Sequence, residues 1–410
     1  PKNPLRRFIF EGVSAGEGTL ALVVKKISNG VETVIPIVKM KLSNVRDMYE
    51  HWTVGDTNTK AISAIPPEPV KAWDSGSYTG TSQEDPDCIV FVHGWRMLPW
   101  ERRYFADTSY KRLWHQGFKG RFFHFSWPTE WTPRKTGVFW DWVGNPPVDS
   151  DNYADSEEKA FHSCSGLVSL LTSLKDQYGE EKVRLFSHSM GGVVASEAML
   201  IHSKISGGGA LVHTYVPCQA AIAAHALDPA ATTRPASAIN LGTWDTPESY
   251  ASSPAAAANA HYFDGIARSG AIVNFYNPLD DALSGSVKGQ DLKPNWNLIP
   301  ESYNYGVPLG GVITSFYHRP SFTTARYLNF SDDAYEIYAH AAEARSFALG
   351  AGDINSLTGF DLNSGFSDAA SNFGGTPEDH SAQFRGTYLI RQEFWSALLG
   401  EFDLLPEVSE

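Results

Sequence analysis

Short apolar segments alternate with longer amphipathic segments along most of the chain after about residue 85. The apolar runs have the length of buried strands, and in the second amphipathic segment leucines recur at helical spacing from Leu167 to Leu174. This alternation is typical of an α/β fold with a doubly wound, mostly parallel sheet that is covered by helices on both faces. Strands are predicted at 88–92, 121–126, 183–188, 210–216 and 271–276, and helices at about 101–116, 155–177, 189–204, 331–349 and 384–399.

The first eighty residues have a different pattern. Three apolar, β-rich runs are separated by glycine-containing turns, at 5–13, 19–27 and 31–42, and a short helix is predicted over 44–52. A proline-rich stretch and a polar linker at 75–86 follow. We therefore expect a small β-rich N-terminal domain or extension over residues 1–80, followed by a larger α/β domain over 81–410.

A serine lies in a sharp turn between a predicted strand and a predicted helix. The sequence Ser187-His188-Ser189-Met190-Gly191 follows the apolar run 183–186, and a helix-forming run comes directly after it. Such a strand–turn–helix unit exposes the hydroxyl of a nucleophilic serine in the pattern G-x-S-x-G, in which Ser187 replaces the first glycine here. The alternative is an ordinary polar turn in which Ser189 caps the helix.

A second candidate element follows the predicted strand 88–92. His93, Gly94 and Trp95 form a strand-end turn, in which Gly94 supplies conformational freedom. Two backbone N–H groups can stabilise the negative charge that develops on a carbonyl oxygen during acyl transfer. The candidates are the N–H groups of Trp95 and Met190, and His93 is expected to orient the loop. The alternative is a simple turn without a catalytic role.

Together the two motifs resemble the α/β-hydrolase superfamily, in particular its lipase-like and esterase-like members, over about residues 85–400. The resemblance implies the chain order serine, then Asp or Glu, then histidine. Asp280 and Asp281 follow the predicted strand 271–276, and the resemblance favours Asp280 because it lies three residues before the aliphatic Leu283. Asp281 remains the alternative, and either aspartate is also common as a turn cap.

The resemblance places the base near the C-terminus, where His380 lies in a glycine-rich loop over 373–384. Such a loop brings an imidazole to the serine while the carboxylate holds its other nitrogen. His318, in a predicted loop, is the competing candidate, whereas His340 falls on a predicted helix surface. His188, beside Ser189, is predicted to pack at the strand end, and we include it among the substrate-contact candidates.

Seven of the twelve tryptophans fall between residues 95 and 142. An aromatic insertion over about 127–150 is too long for a minimal connection. Trp127 and Trp131 are therefore predicted to contact an acyl chain, an aromatic ring or a sugar. The alternative is that several of these rings only pack the loop onto the core. An alanine-rich insertion over about 226–262 is a candidate lid.

The amino-acid composition limits which kinds of molecule the protein is expected to bind. The formal net charge of −13 argues against nucleic acids and anionic membrane surfaces, and no apolar stretch approaches the length of an integral membrane segment. The three cysteines, Cys88, Cys164 and Cys218, lack metal-ligand spacing, so neither a metal nor a cofactor is expected; one disulfide is compatible with them. The chain begins at Pro1 without a signal peptide, so we expect part of a longer multidomain protein. The low content of charged residues and the high content of aromatic residues favour a secreted protein.

The hypothesis from sequence is a serine hydrolase that cleaves small-molecule or polymeric carboxylic esters. It uses Ser189, His380 and Asp280, with an acyl-enzyme intermediate. A peptidase, thioesterase or amidase on the same fold is one alternative. The other is a non-catalytic module that binds a glycan or a protein partner, because a fold alone does not establish activity.

Overall fold

The predicted apolar runs form the centre of an eight-stranded sheet in the computed structural model of the chain. The structure describes residues 14–55, 69–72, 75–76, 87–95, 97–129, 150–205, 210–222, 271–278, 280, 283, 286–287, 290–291, 302–309, 312–320, 349–353, 357–362, 380–385 and 388–405. All structural statements below concern these residues.

The described strands and helices have the following bounds. The strands are β1 (Gly16–Lys25), β2 (Glu32–Leu42), β3 (Glu50–Thr53), β4 (Val70–Lys71), β5 (Cys88–Val92), β6 (Arg121–Ser126), β7 (Val183–His188), β8 (Thr214–Cys218), β9 (Ala271–Tyr276), β10 (Ser286–Val287), β11 (Gln290–Asp291), β12 (Ser302–Leu309), β13 (Val312–Pro320) and β14 (Thr358–Asp361). The α-helices are α1 (Pro99–His115), α2 (Ser150–Tyr178), α3 (Gly191–Ile205), α4 (Ala382–Arg385) and α5 (Tyr388–Glu401), with 3₁₀ turns at Val45–Asp47, Glu180–Lys182 and Leu349–Ala351.

The main sheet has the strand order β14-β9-β8-β7-β5-β6-β3-β4. Neighbouring strands run parallel throughout, except that the edge strand β4 is antiparallel to β3. The predicted α/β architecture with a mostly parallel sheet is confirmed. Because the strands are parallel, the carboxyl ends of β5, β7, β8 and β9 meet at one edge, where ligand sites of such sheets lie.

Helices cover both faces of the sheet. Side chains alternate across a strand, so Leu185 of β7 packs with Leu167 of α2 on one face. Its neighbour Phe186 packs with Phe105 of α1 and Trp395 of α5 on the other face. Five-residue apolar runs without polar alternation are what a strand buried on both faces requires, and this is why these strands could be predicted.

Two predicted segments are corrected. The helix expected over 44–52 is instead the turn Val45–Asp47 followed by β3, because β3 gains parallel pairing with β6; Tyr49, just before β3, is buried. Two strands within the predicted N-terminal segment, β3 and β4, therefore belong to the main sheet. The strand expected over 210–216 begins at Thr214 and extends to Cys218, the residues that pair with β7.

Further differences from the sequence predictions concern additional strands, the cysteines and several predicted segments. The strand pairs β10–β11 and β12–β13 and the edge strand β14 were not predicted. All three cysteines are buried and free, so the disulfide that the sequence allowed is absent. The run at 5–13 and the candidate lid at 226–262 lie outside the described residues, as do most of the insertion at 127–150 and all of the predicted helix at 331–349 except Leu349, which begins a 3₁₀ turn.

The predicted β-rich N-terminal segment is a two-stranded antiparallel sheet of β1 and β2. A register shift between Leu20 and Ala21 marks a bulge. Nearly all of its side chains are exposed, including Leu22 at 51% and Ile37 at 61%. None of the helices in the described part of the chain is both long and apolar enough to cross a membrane.

Three buried histidines line the sheet face that packs against α1. The rings of His51 and His124 are stacked with centroids 4.8 Å apart, and His93 lies 5.6 Å from His124. Both ring nitrogens of His124 are buried, and neither has a hydrogen-bond partner within the part of the chain that the structure describes. Burial, reinforced by His51 and the other nearby cationic groups, holds the pKa of His124 well below its usual value. Burial and Arg102 do the same for the pKa of His93.

These depressed pKa values predict acid sensitivity. The unfolded chain binds protons at histidines as pH falls through about 6.5, whereas the folded protein keeps His93 and His124 neutral. The unfolding free energy is therefore fully retained above pH 6.5. Below it, each histidine is expected to remove up to about 1.4 kcal/mol per pH unit. His124→Phe preserves the ring stack and should reduce this slope by about 1 kcal/mol per pH unit.

Urea unfolding at intervals from pH 8 to pH 5 measures this slope. His115→Gln is the matched control, because His115 is exposed at the end of α1. An unchanged slope in His124→Phe would show that His124 does not stay neutral in the folded protein.

Candidate active site

Ser189 lies in a strained turn between β7 and α3. Its φ of 54° places a non-glycine residue in the left-handed region, which costs about 1–2 kcal/mol. The backbone on both sides holds this conformation: the Ser189 N–H donates to Cys218 O at 3.1 Å, and Ser189 O accepts from Gly192 N–H and Ala221 N–H at 2.9 and 3.0 Å. Strain held in this way at a strand end is typical of the turn that carries a nucleophilic serine.

Two glycines make the close approach around this turn possible. A Cβ atom on Gly191 would stand 2.5 Å from His93 O, and one on Gly94 would stand 3.0 Å from the Cβ of Ser189. The loop after β5 therefore packs directly against the turn after β7. Met190 and Trp95, the predicted oxyanion donors, are the residues that follow Ser189 and Gly94 in these two segments. Their donor role stays a prediction.

Asp280 is fully buried and held by several donors. It follows β9, and its Oδ1 accepts from the Leu283 N–H at 3.0 Å. Its Oδ2 accepts from Gln219 Nε2 at 2.7 Å and lies 2.6 Å from His380 Nδ1. A buried carboxylate requires such partners, because an unpaired charge in the interior is costly. Asp280 thus contacts the predicted histidine, and the alternative Asp281 lies outside the described residues.

His380 is held at the start of the C-terminal helical segment. Its side chain is 17% exposed, and its carbonyl oxygen accepts a hydrogen bond of 2.8 Å from His188 Nε2. The His188 and His380 rings lie 4.8 Å apart, and His188 directly precedes Ser189. His188 therefore links the serine turn to the histidine backbone. At 3% exposure it packs at the strand end as predicted, and it offers little surface to a substrate.

Trp127, which was predicted to contact a substrate, lies instead in the interior of the protein. Its side chain is fully buried, and its ring stacks on that of His93 with centroids 5.5 Å apart. The Trp127 indole N–H donates to His93 O at 2.8 Å, and its backbone N–H donates to His93 Nε2 at 3.2 Å. Trp127 therefore supports the loop of His93 and Gly94 and presents no face to a substrate. Trp131, the other predicted contact, lies outside the described residues.

His93 orients its loop, as the sequence suggested. Because Nε2 accepts from Trp127, the neutral ring carries its proton on Nδ1, which donates to Gly94 O at 2.8 Å. Arg102 extends this network: its guanidinium donates to Met97 O, Trp127 O and Thr129 O at 3.0, 3.1 and 3.2 Å. The loop that carries Gly94 and Trp95 is therefore fixed from two sides.

Sequence reasoning missed Gln219 and Arg102. Gln219 directly follows β8, has a φ of 43° and donates to Asp280, so it occupies the strand end between the serine and the aspartate. Its position after a buried strand was the available signal. The competing His318 lies in β13, paired with Asn304, rather than in a loop, and His340 lies outside the described residues.

The sequence model of the alpha/beta hydrolase family matches residues 89–352, which is more than half of the chain. The chain belongs to this family. Ser189 and Asp280 lie within the matched region, and His380 follows it. No curated protein matches the chain. Among the residues that the structure describes, no group of three or more His, Cys, Asp or Glu side chains is arranged to hold a metal ion.

The left-handed conformation of Ser189 predicts that two variants without the hydroxyl differ in stability. Glycine adopts this φ without the Cβ penalty, whereas alanine retains it. We expect Ser189→Gly to be more stable than Ser189→Ala by about 1 kcal/mol. Urea unfolding of the two variants measures the difference, and equal stabilities would mean that the turn relaxes when the hydroxyl is removed.

Proposed function

We propose that this member of the alpha/beta hydrolase family is a serine hydrolase that cleaves carboxylic esters, with Ser189 as nucleophile, His380 as base and Asp280 as orienting acid. One observation carries the proposal. The buried Asp280 carboxylate lies 2.6 Å from His380 Nδ1, and His188 ties the backbone of His380 to the strained Ser189 turn. Ser189, Asp280 and His380 also follow the chain order of nucleophile, acid and base that this fold uses.

In the proposed mechanism, the Nδ1–H group of His380 donates a hydrogen bond to Asp280, which leaves Nε2 as the proton acceptor. Nε2 takes the hydroxyl proton of Ser189 as Oγ attacks the ester carbonyl carbon. The carbonyl oxygen becomes an oxyanion, and the N–H groups of Trp95 and Met190 are the proposed donors to it. Each donor of this kind contributes roughly 3–4 kcal/mol to the transition state.

The second half of the reaction releases the products. His380 gives the proton to the departing alkoxide, so an alcohol leaves and an acyl-enzyme on Ser189 remains. Water then attacks the acyl carbon while Nε2 takes its proton. Collapse of the second tetrahedral intermediate releases a carboxylic acid and restores the serine hydroxyl. Esters are favoured over amides because an alkoxide leaves more readily than an amine.

Gln219 has a positioning role in this proposal. Its amide donates to the same carboxylate oxygen that contacts His380, while the Leu283 N–H holds the other oxygen. These bonds fix the plane of the carboxylate, so that His380 is held in one tautomer and one ring orientation. Fixing the tautomer is the main contribution of the acid in such triads.

Ser189→Ala should remove nearly all ester turnover and leave the fold intact. The measurement is kcat/KM on p-nitrophenyl esters of graded acyl length, with circular dichroism as the test of folding. A fluorophosphonate probe should label the wild type at Ser189 and should not label the variant. Labelling at another residue, or retained turnover, would remove Ser189 from the mechanism.

Asp280→Asn should lower kcat by about 10⁴-fold, because an amide at this position favours the wrong histidine tautomer. Asp281→Asn is the matched control: it removes the same charge one residue away, and it should retain most of the activity. Comparable losses in both variants would contradict the assignment of the acid to Asp280.

A further inference from the structure

A cavity lies beside β3 and β4, at one edge of the main sheet. It has a volume of about 540 Å³ and is bounded by β3, β4, the end of β6 and the N-terminal part of α1. Four cationic side chains contribute to its described lining, namely Arg46, Lys71, Arg102 and Arg103, and no carboxylate does so among the described residues. Ser126 and Thr53 lie at the end of this cavity nearest the carboxyl edge of the sheet.

Arg102 makes the cavity electrostatically unusual. Its side chain is 2% exposed, and three of its five N–H donors bond to backbone carbonyls. The ion pairs among the described residues include none that joins Arg102 to a carboxylate. Burial lowers the pKa of Arg102 to about 10, so it remains a cation at neutral pH. The neighbouring Glu101 offsets part of the cost of this buried charge, and an anion in the cavity would offset more of it.

The other cations are compensated to different degrees. Arg46 pairs with Asp107 at 3.1 Å, and Lys71 pairs with Glu50 at 3.3 Å. Arg103 is 4% exposed and lies over the Tyr49 ring at 5.1 Å from its centroid. Arg102 and Arg103 also help to depress the pKa of the nearby His124, which is a sign of a positive potential on this side of the sheet. The cavity therefore favours an anionic group over a neutral one.

The cavity lies two strands away from the strand that leads to Ser189. Ser126 is at the carboxyl end of β6, and only β5 separates β6 from β7, the strand that leads to Ser189. Two strand spacings amount to about 10 Å. The Ser126 hydroxyl lies 3.4 Å from His93 Nε2, and Gly94 packs against Ser189. An ester with a medium-length acyl chain spans a distance of this order.

We propose that this cavity is an anion-binding subsite, which receives a carboxylate or phosphate group carried by the acyl part of the ester substrate. The inference rests on the proposed ester hydrolase function and specifies its substrate class. The negative group is bound by Arg102 and Arg103 at the cavity, while the ester carbonyl lies at Ser189. Hydrolysis of such an ester releases an alcohol and a diacid or a phosphorylated acid. Arginine suits this role because its planar donors match carboxylate and phosphate oxygens.

The kinetic test compares two esters of equal length. The p-nitrophenyl monoester of suberic acid ends in a carboxylate, whereas p-nitrophenyl octanoate ends in a methyl group. We expect the wild type to prefer the anionic ester by about 10-fold in kcat/KM, mainly through KM. Arg103→Gln should abolish the preference and leave octanoate turnover unchanged. Arg103→Lys should restore part of it, and Lys39→Gln, which removes an exposed charge on β2, should leave it intact.

Arg46→Gln is a second variant in case Arg103→Gln fails to fold. The Arg46 side chain is 45% exposed, so its replacement leaves the core undisturbed, and a smaller loss of preference is expected. A preference for the anionic ester that survives both glutamine variants overturns the proposal, as does equal turnover of the two esters by the wild type.

A binding test separates a substrate group from a free anion. Calorimetry with inorganic phosphate on full-length Ser189→Ala should show binding that Arg103→Gln weakens by about 10-fold. Phosphate that binds without any preference for the anionic ester overturns the link to the substrate and identifies a separate anion ligand. If neither ester is hydrolysed but phosphate binding depends on Arg103, the ester hydrolase proposal fails while the anion site stands. Absence of both effects overturns the subsite itself.

Discussion

The parallel pairing of β5, β7, β8 and β9 is the constraint on which the candidate site depends. It brings the carboxyl ends of four strands to one edge, so residues that are far apart in sequence leave the sheet side by side. Ser189, Gln219 and Asp280 follow three successive neighbours in the sheet, and the 2.7 Å bond between Gln219 and Asp280 results from this adjacency. A shift of one residue in any of these strands would reverse which side chains face the site.

A buried polar network next to this edge serves two regions at once. Arg102 binds Trp127 O and Thr129 O, Trp127 binds His93, and His93 fixes Gly94. Arg102 also lines the basic cavity. A buried hydrogen-bonded network rigidifies its surroundings but tolerates few changes. The loop beside Ser189 and the cavity beside β3 therefore share one structural support, which couples the geometry of the two.

The sequence allowed the central strands to be predicted because burial on both faces leaves an uninterrupted apolar run, as in β5. It could not place β3, because a four-residue strand with polar His51 and Glu50 owes its pairing to β6 rather than to its own composition. Asp280 and His380 followed from the chain order of a family. Gln219 has no sequence signature, since its role comes from the strand beside it. Trp127 was misassigned because sequence does not show which loop tryptophans turn inward.

The exposed hairpin of β1 and β2 has a consequence for where the protein can be divided. Its side chains share no core with the main sheet, whereas β3 is paired with β6 through four residues. A two-stranded hairpin of this kind adds little independent stability. We therefore expect removal of β1 and β2 to leave the main sheet intact, whereas a deletion that extends to residue 80 would strip β3 and β4 from the sheet edge.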